Sequence, residues 1–276
     1  MLNNQTIEKL RAMKLPVMAT EYQRQTESPD MSVLDFDERI GLLTDAEWTA
    51  RKNNGIRKLT ANAKLRVPAA SFADIDYRSS RKLDRAFVAR LSDFRWVHEA
   101  KNVIITGCTG TGKTWLTCAF GVEACRSGLH AAYYRLNWLL NELTSVSSSG
   151  TGGLIKLLAK LKKTHLLLLD DWGLSTVNPM ESRLLLEVFE DRFGTRSTII
   201  ASQLPVAKWH GTFEDSTVAD AILDRVVHNS YRFELQGSSL RRRTSDSMYG
   251  EHIPGVAAMD ENTGDLQGEE VITKGN

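Results

Sequence analysis

Residues 107–114 read Gly107-Cys108-Thr109-Gly110-Thr111-Gly112-Lys113-Thr114. Their spacing fits the G-x-x-x-x-G-K-[ST] phosphate loop at every fixed position. Glycines let the backbone curl so that its N–H groups face a phosphate, and a following helix adds the positive end of its dipole. In that chemistry Lys113 reaches the β- and γ-phosphates and the Thr114 hydroxyl meets Mg²⁺. The flanks agree. Val103-Ile104-Ile105 reads as a buried strand, and Trp115-Leu116-Thr117-Cys118-Ala119-Phe120 as the first turns of a helix. Trp115, directly after the loop, joins its eight residues as a nucleotide-binding candidate.

A second chemical signal follows at His165-Leu166-Leu167-Leu168-Leu169-Asp170-Asp171. Four leucines form a fully buried strand that delivers two carboxylates at its C-terminal end, where open α/β sheets bind ligands. Asp170 is placed to hold Mg²⁺. Asp171 is placed to polarise an attacking water. Alone, an apolar run ending in two acids could be a strand-end cap; after a phosphate loop it becomes specific. Ser197-Thr198-Ile199-Ile200-Ala201 then ends in Ser202 and Gln203. An amide there could orient the lytic water, Gln203 before Ser202, or the pair could bond its own turn. Arg225 follows an amphipathic helix start. It either pairs with Asp224 in the same chain or projects into a neighbour's nucleotide as an arginine finger. Periodicity leaves both open.

These residues need elements to hold them. From Phe72 onward strands and helices alternate. Strands are expected at 102–106, 131–135, 165–169, 197–201 and 231–235, and helices at 82–94, 113–127, 137–145, 153–163, 181–193 and 218–228. That is the pattern of a doubly wound parallel sheet. SVSSSGTGG at 145–153 reads as a flexible loop before a helix carrying Lys156, Lys160, Lys162 and Lys163. Ahead of this domain the pattern is all helical. Two short helices divide at Pro16 within residues 5–28, and a loop covers 29–34. A third helix spans 35–53 with Phe36, Ile40, Leu43 and Trp48 inward, stopped by Asn53-Asn54-Gly55. A short helix follows at 56–65. The expected division is a helical DNA-binding and oligomerisation domain at 1–67, an ATPase domain at 68–245, and a disordered acidic tail at 246–276.

Charge supports that division. The 276 residues carry a net +1, but residues 246–276 hold seven acids against Lys274 alone, so the preceding residues carry +7. The tail's low aromatic content fits disorder. Arg51, Lys52, Arg57, Lys58, Lys64 and Arg66 share the stretch 51–67 with no acid. A single-sign run of this kind suits a phosphate backbone, with a plain solvated surface as the alternative. No apolar stretch approaches the ~20 residues of a membrane span. The N-terminus lacks a signal-peptide core, which points to the cytoplasm. Cys108, Cys118 and Cys125 lack metal-site spacing and read as reduced thiols. Cys108, inside the loop, is a place where alkylation could block nucleotide.

GCTGTGKT, LLLLDDWGL, STIIASQLP and STVADAILDRVVHNSYRFEL, together with LRAMKLPVMATEY, DFDERIGLLTDAEW and FADIDYR, resemble the motifs of the IstB family. These are AAA+ helper ATPases of IstA/IstB-type transposition, related to DnaC and DnaA. The resemblance runs from about Thr6 to Arg243. It implies an α/β P-loop AAA+ ATPase domain, a parallel sheet between helices with no full α-helical lid, behind a small all-α N-terminal domain. It implies ATP and Mg²⁺ as cofactors, Walker motifs at 107–114 and 166–171, a sensor at 202–203, and a trans-acting Arg225. It also implies an ATP-bridged ring or filament on double-stranded DNA that recruits an IstA-like transposase, in a bacterial, nucleoid-associated protein. Asp171 stands where many AAA+ ATPases have Glu. A DnaC-like helicase loader is the competing reading, and a nucleotide-binding scaffold that barely hydrolyses ATP is a third.

Overall fold

The computed structural model describes residues 2–78, 82–237 and 239–240. The tail at 246–276 and Arg241-Arg242-Arg243 lie outside the described residues. The chain begins with α1 (Leu2–Ala12), α2 (Pro16–Glu27), a 3-10 turn at Pro29–Val33, and α3 (Phe36–Ala63). Short helices α4 (Arg85–Leu91) and α5 (Arg95–His98) lead to β1 (Asn102–Gly107) and α6 (Lys113–Arg126). There follow β2 (Ala131–Arg135), α7 (Leu136–Ser148), α8 (Thr151–Lys163), β3 (Leu166–Trp172) and α9 (Pro179–Arg192). β4 (Ser197–Ser202), α10 (Ser216–Val227) and β5 (Ser230–Leu235) complete it.

All five strands are parallel, in the order β2-β3-β4-β1-β5. Central parallel strands need both faces covered, which is why β1, β3 and β4 carry buried apolar runs, whereas the edge strand β5 keeps Arg232 and Glu234 exposed. Successive side chains divide between two cores. Val103, Ile105, Leu166, Leu168 and Ile199 join α6, α4, α5 and the end of α3. Ile104, Leu167, Leu169 and Ile200 join α7, α8, α9 and α10. With the flanks apolar, polar groups appear at the strand ends, and Asn102 begins β1 while the phosphate loop follows it. At the start of β4, the buried Arg192 guanidinium donates to the carbonyls of Leu161, Thr164 and Ser197 and to Thr198 Oγ1. It thereby closes the end of α8 against the sheet.

The helical region departs from its sequence reading. α3 is one 28-residue helix running straight through Asn53-Asn54-Gly55, rather than two helices broken there. A helix-interior glycine costs about 1 kcal/mol relative to alanine, and tertiary packing offsets it. Asp35 and Glu38 form a capping box at the start. Ala63 and Leu65 are buried in the sheet core at the far end. The helix stops at Lys64, in the left-handed conformation. The inward face is also different. Phe36 and Trp48 are 75% and 69% exposed and Ile40 is exposed too, whereas Leu43 and Glu47 are buried. The reason is Glu47. Its carboxylate accepts the Val17 and Met18 N–H groups at 3.0 Å, capping α2, and pairs with Arg51. The stripe that meets α2 is thereby fixed on Leu43 and Glu47, and Trp48, about 100° further round, points outward.

The expected loop at 145–153 is almost entirely helical, with Ser149 and Gly150 between α7 and α8. Ser148 and Ser149 hydroxyls donate back to the Thr144 and Ser145 carbonyls, which the helix accommodates. The helix expected at 82–94 is confined to α4 at Arg85–Leu91, and a second short helix, α5, starts beyond it after Phe94, which sits at positive φ. Among the described residues no helix is long and apolar enough to cross a membrane.

Glu47→Gln should lower stability by about 1–2 kcal/mol, since it weakens a helix cap and a charged pair. Arg51 first, then the Met18 and Val17 N–H groups, hold the Glu47 carboxyl below its usual range. Stabilisation by the charged form is therefore present above the unfolded-state pKa of about 4.3. It is lost as the pH falls through the lower folded value. Melting temperatures of the two proteins should converge on acidification, and a gap persisting in acid would contradict this account.

Candidate nucleotide site

The phosphate loop joins β1 to α6 at the C-terminal edge of the sheet. Gly107 is wedged beside β5, where a Cβ would lie 2.3 Å from the Leu235 carbonyl oxygen. Gly112 caps α6 with φ +88°, a conformation that frees the first N–H groups of the helix to face an anion. Lys113 is buried, and its Nζ donates to the carbonyls of Gly107 and Cys108 at 2.8 Å. Thr111, also buried, donates to the same Cys108 carbonyl. Cys108 is exposed. Trp115 is partly buried and packs against the core beneath α6. Ser239 lies against Gly110, so the chain leaving β5 passes over the loop.

β3 delivers the two carboxylates as the sequence reading expects. Asp170 is buried, and its Oδ2 accepts from Thr114 Oγ1 at 2.7 Å and from the Tyr133 hydroxyl at 2.8 Å. Its Oδ1 accepts the Asp171 N–H at 3.0 Å. Burial first, then the Asp170 charge, pushes the Tyr133 phenol well above its usual range, so it remains a donor. Asp171 has φ +61°, an uncommon conformation outside glycine, and here the strand pairing of β3 with β4 becomes irregular. That twist separates the two side chains. Asp171 Oδ2 lies 3.4 Å from Arg135 Nε. Burial and then the neighbouring Asp170 raise its carboxyl, while Arg135, Arg66 and Lys113 oppose them.

Ser202 and Gln203 separate in role. Ser202 is fully buried, donates to the Trp172 carbonyl and accepts the Leu204 N–H, so its hydroxyl is committed to the turn. Gln203 reaches the loop itself, accepting from Thr109 Oγ1 at 2.6 Å. Arg225 is elsewhere. Its carbonyl accepts from Asn102 Nδ2 at the start of β1, and its guanidinium pairs with Glu190 and the Ala221 carbonyl. The in-chain partner is thus Glu190 of α9, not Asp224, which pairs with His228. α9 and α10 pack side by side, and that brings Glu190 closer than the helix's own acid. β1 lies between Arg225 and the phosphate loop, roughly 17 Å at the usual rise per residue.

The basic stretch is spread along α3 and its exit. Lys52, Arg57 and Lys58 are exposed, as is Lys64 at the helix end. Arg51 is tied to Glu47 and the Lys14 carbonyl. Arg66 has left the helix and faces the Tyr133 hydroxyl beside the carboxylates. Sequence reasoning missed Tyr133 and Arg135. Both lie on β2, whose Arg135 pairs in register with Asp170. Their signal was the polar end of the AAYYR strand, unreadable until β2 is known to neighbour β3.

Among the described residues no cluster of three or more His, Cys, Asp or Glu could enclose a metal. Thr114 Oγ1 and Asp170 do supply hard oxygens side by side. That suits a cation bound through one or two protein groups plus phosphate oxygens and water. The arrangement as a whole is a phosphate cradle beside a carboxylate pair. A model of the IstB-like ATP-binding protein family matches residues 8–248. The chain belongs to that family. It is therefore an ATP-binding P-loop protein of the AAA+ kind, an ATPase by family. It is 42% identical over 242 residues to the insertion sequence ATP-binding protein y4pL of Sinorhizobium fredii, covering 88% of this chain and 98% of that one. DnaI superposes with a TM-score of 0.52 at 21% identity, over 65% of this chain and 94% of DnaI. AMPPCP-bound DnaA from Aquifex aeolicus also gives 0.52, at 19% identity, over 69% of this chain and 57% of DnaA. Both structures share the fold.

Lys113→Ala should weaken ATP binding roughly 10- to 100-fold, the worth of a charge-assisted contact. Titration with a fluorescent ATP analogue measures it, and undiminished affinity would remove Lys113 from the phosphate site.

Proposed function

We propose that the chain is an ATP-dependent DNA-binding regulator of transposition. It assembles on duplex target DNA, recruits and stimulates an IstA-like transposase, and disassembles as ATP is hydrolysed. The observation that carries this reading is the position of Arg225. It lies at the far end of β1 from its own phosphate loop, so it has no route to its own γ-phosphate. The remaining route is into the nucleotide of a neighbouring copy. A contact of that kind is heterologous, and repetition makes a ring or a helical filament. The insertion-sequence relative supports the transposition context.

Within one interface the roles divide by chemistry. Backbone N–H groups of the loop and Lys113 bind the triphosphate. Thr114 and Asp170 would hold Mg²⁺, which neutralises charge developing on the phosphates. Asp171 accepts the proton of the attacking water, and Gln203, released from Thr109, orients that water. Arg225 of the adjoining copy stabilises the transition-state charge. Lys52, Arg57 and Lys58 track the phosphate backbone, with Lys156 and Lys163 of α8 as further exposed cations. Phosphate contacts position a protein without reading sequence, which suits broad target choice. Binding of this kind weakens steeply with salt.

Electron microscopy with duplex DNA and a non-hydrolysable ATP analogue tests assembly. Ordered oligomers requiring both ligands are expected. Assembly that prefers single strands would favour the helicase-loader reading instead. Arg225→Ala should retain ATP binding and lose at least about tenfold in turnover, within the range of arginine-finger effects. Mixing it with Asp171→Asn chains should restore part of the turnover, because each supplies what the other lacks. No recovery in the mixture would exclude action in trans.

A further inference from the structure

Asp170 is held by more than the phosphate loop. One oxygen accepts the Asp171 N–H, and the other accepts both the Thr114 and the Tyr133 hydroxyls. Tyr133 is buried among the apolar residues beneath α6. Phenylalanine would fill that space equally well, so the hydroxyl answers to the carboxylate rather than to packing. A carboxylate that binds a metal loses affinity when it can swing, and a buried donor on the oxygen that also meets Thr114 opposes that.

Arg66 stands behind Tyr133. Its guanidinium faces the same hydroxyl, and its charge also acts on Asp171. Its backbone is fixed too, since Arg66 and Val67 both contact the Cys118 thiol of α6. The side chains on either side, Leu65 and Val67, pack into the sheet core. Arg66 is itself exposed, but it differs from Lys52, Arg57, Lys58 and Lys64 of the same run in lying against the Tyr133 hydroxyl.

We propose that Tyr133 is a positioning residue for Asp170 and that Arg66 acts through Tyr133, as part of the ATP site rather than of a DNA-binding face. The proposal rests on the reading of Asp170 as the Mg²⁺ carboxylate. The experiment separates the two by including Asp170→Asn.

Retention of a fluorescent ATP analogue is titrated with Mg²⁺ and, separately, measured in EDTA. Asp170→Asn should raise the Mg²⁺ concentration for half-saturation, and if it does not, the underlying reading fails. Tyr133→Phe should raise it about tenfold or more, the usual effect of removing an outer-shell partner. Its affinity in EDTA should be unchanged. Arg66→Gln should shift it in the same direction by less, and the double variant should be no worse than Tyr133→Phe. In DNA binding, Arg66→Gln should keep the wild-type salt slope, whereas Arg57→Gln should reduce it. A shifted Asp170→Asn with an unshifted Tyr133→Phe would overturn the proposal alone. An equal loss in EDTA would also overturn it, by showing a packing defect. Additive effects of the two variants, or a reduced salt slope in Arg66→Gln, would overturn the role of Arg66.

Discussion

A parallel sheet buried on both faces can carry charge only at its ends, and this constraint arranges the whole molecule. The interiors of β1 to β4 are largely committed to two apolar cores, while the edge strand β5 keeps Arg232 and Glu234 exposed. Groups that bind or react must then collect where strands stop. At the C-terminal edge lie the phosphate loop after β1, the carboxylates of β3, Gln203 after β4 and the Tyr133–Arg135 end of β2. At the opposite edge lie Asn102, Arg192 and Arg225. The same geometry that concentrates the nucleotide chemistry at one end places the candidate finger at the other. A single copy cannot bring the two together without dismantling β1.

The N-terminal helices are tied to this sheet through a short stretch of chain. Ala63 and Leu65 are buried and Val67 is partly buried against the same core as α6 and β2, and Arg66 between them reaches the Tyr133 hydroxyl. Upstream, Glu47 fixes which face of α3 meets α2. One buried carboxylate with two backbone donors outweighs the apolar preference of Phe36 and Trp48. Two backbone hydrogen bonds to an ionised group are lost together if the helix rotates, whereas an exposed aromatic on a surface is ordinary.

Much of the nucleotide site was legible because its parts are local. A phosphate loop must sit between a strand and a helix, and four leucines ending in two acids have few other uses, so residues 107–114 and 170–171 could be read without knowing the fold. What depends on strand order could not be read. Tyr133 and Arg135 matter because β2 lies beside β3, and nothing in AAYYR states its neighbour. The partner of Arg225 was missed for a similar reason, since Glu190 is close only through the packing of α10 on α9. In the helical region, local stop signals misled. Asn53-Asn54-Gly55 breaks an isolated helix, yet contacts at both ends of α3 carry it through.

Several working groups are bonded to their own chain. Lys113 rests on the loop carbonyls, Gln203 on Thr109, Arg135 on Asp171 and Arg225 on Glu190. These ties differ in strength. Arg225 and Glu190 are partly solvated, and such pairs contribute about 0–1 kcal/mol, so in the proposed assembly a triphosphate offered across an interface would displace Glu190 readily. Gln203 and Thr109 share one neutral hydrogen bond, worth about 1 kcal/mol net. Asp170 is the exception, buried with three donors. Under the proposed mechanism the two weakly held groups, Gln203 and Arg225, are those that must move, and the strongly held carboxylate is the one that must not. Assembly then controls turnover by exchanging partners at solvated side chains, and the buried metal carboxylate stays in place throughout the cycle.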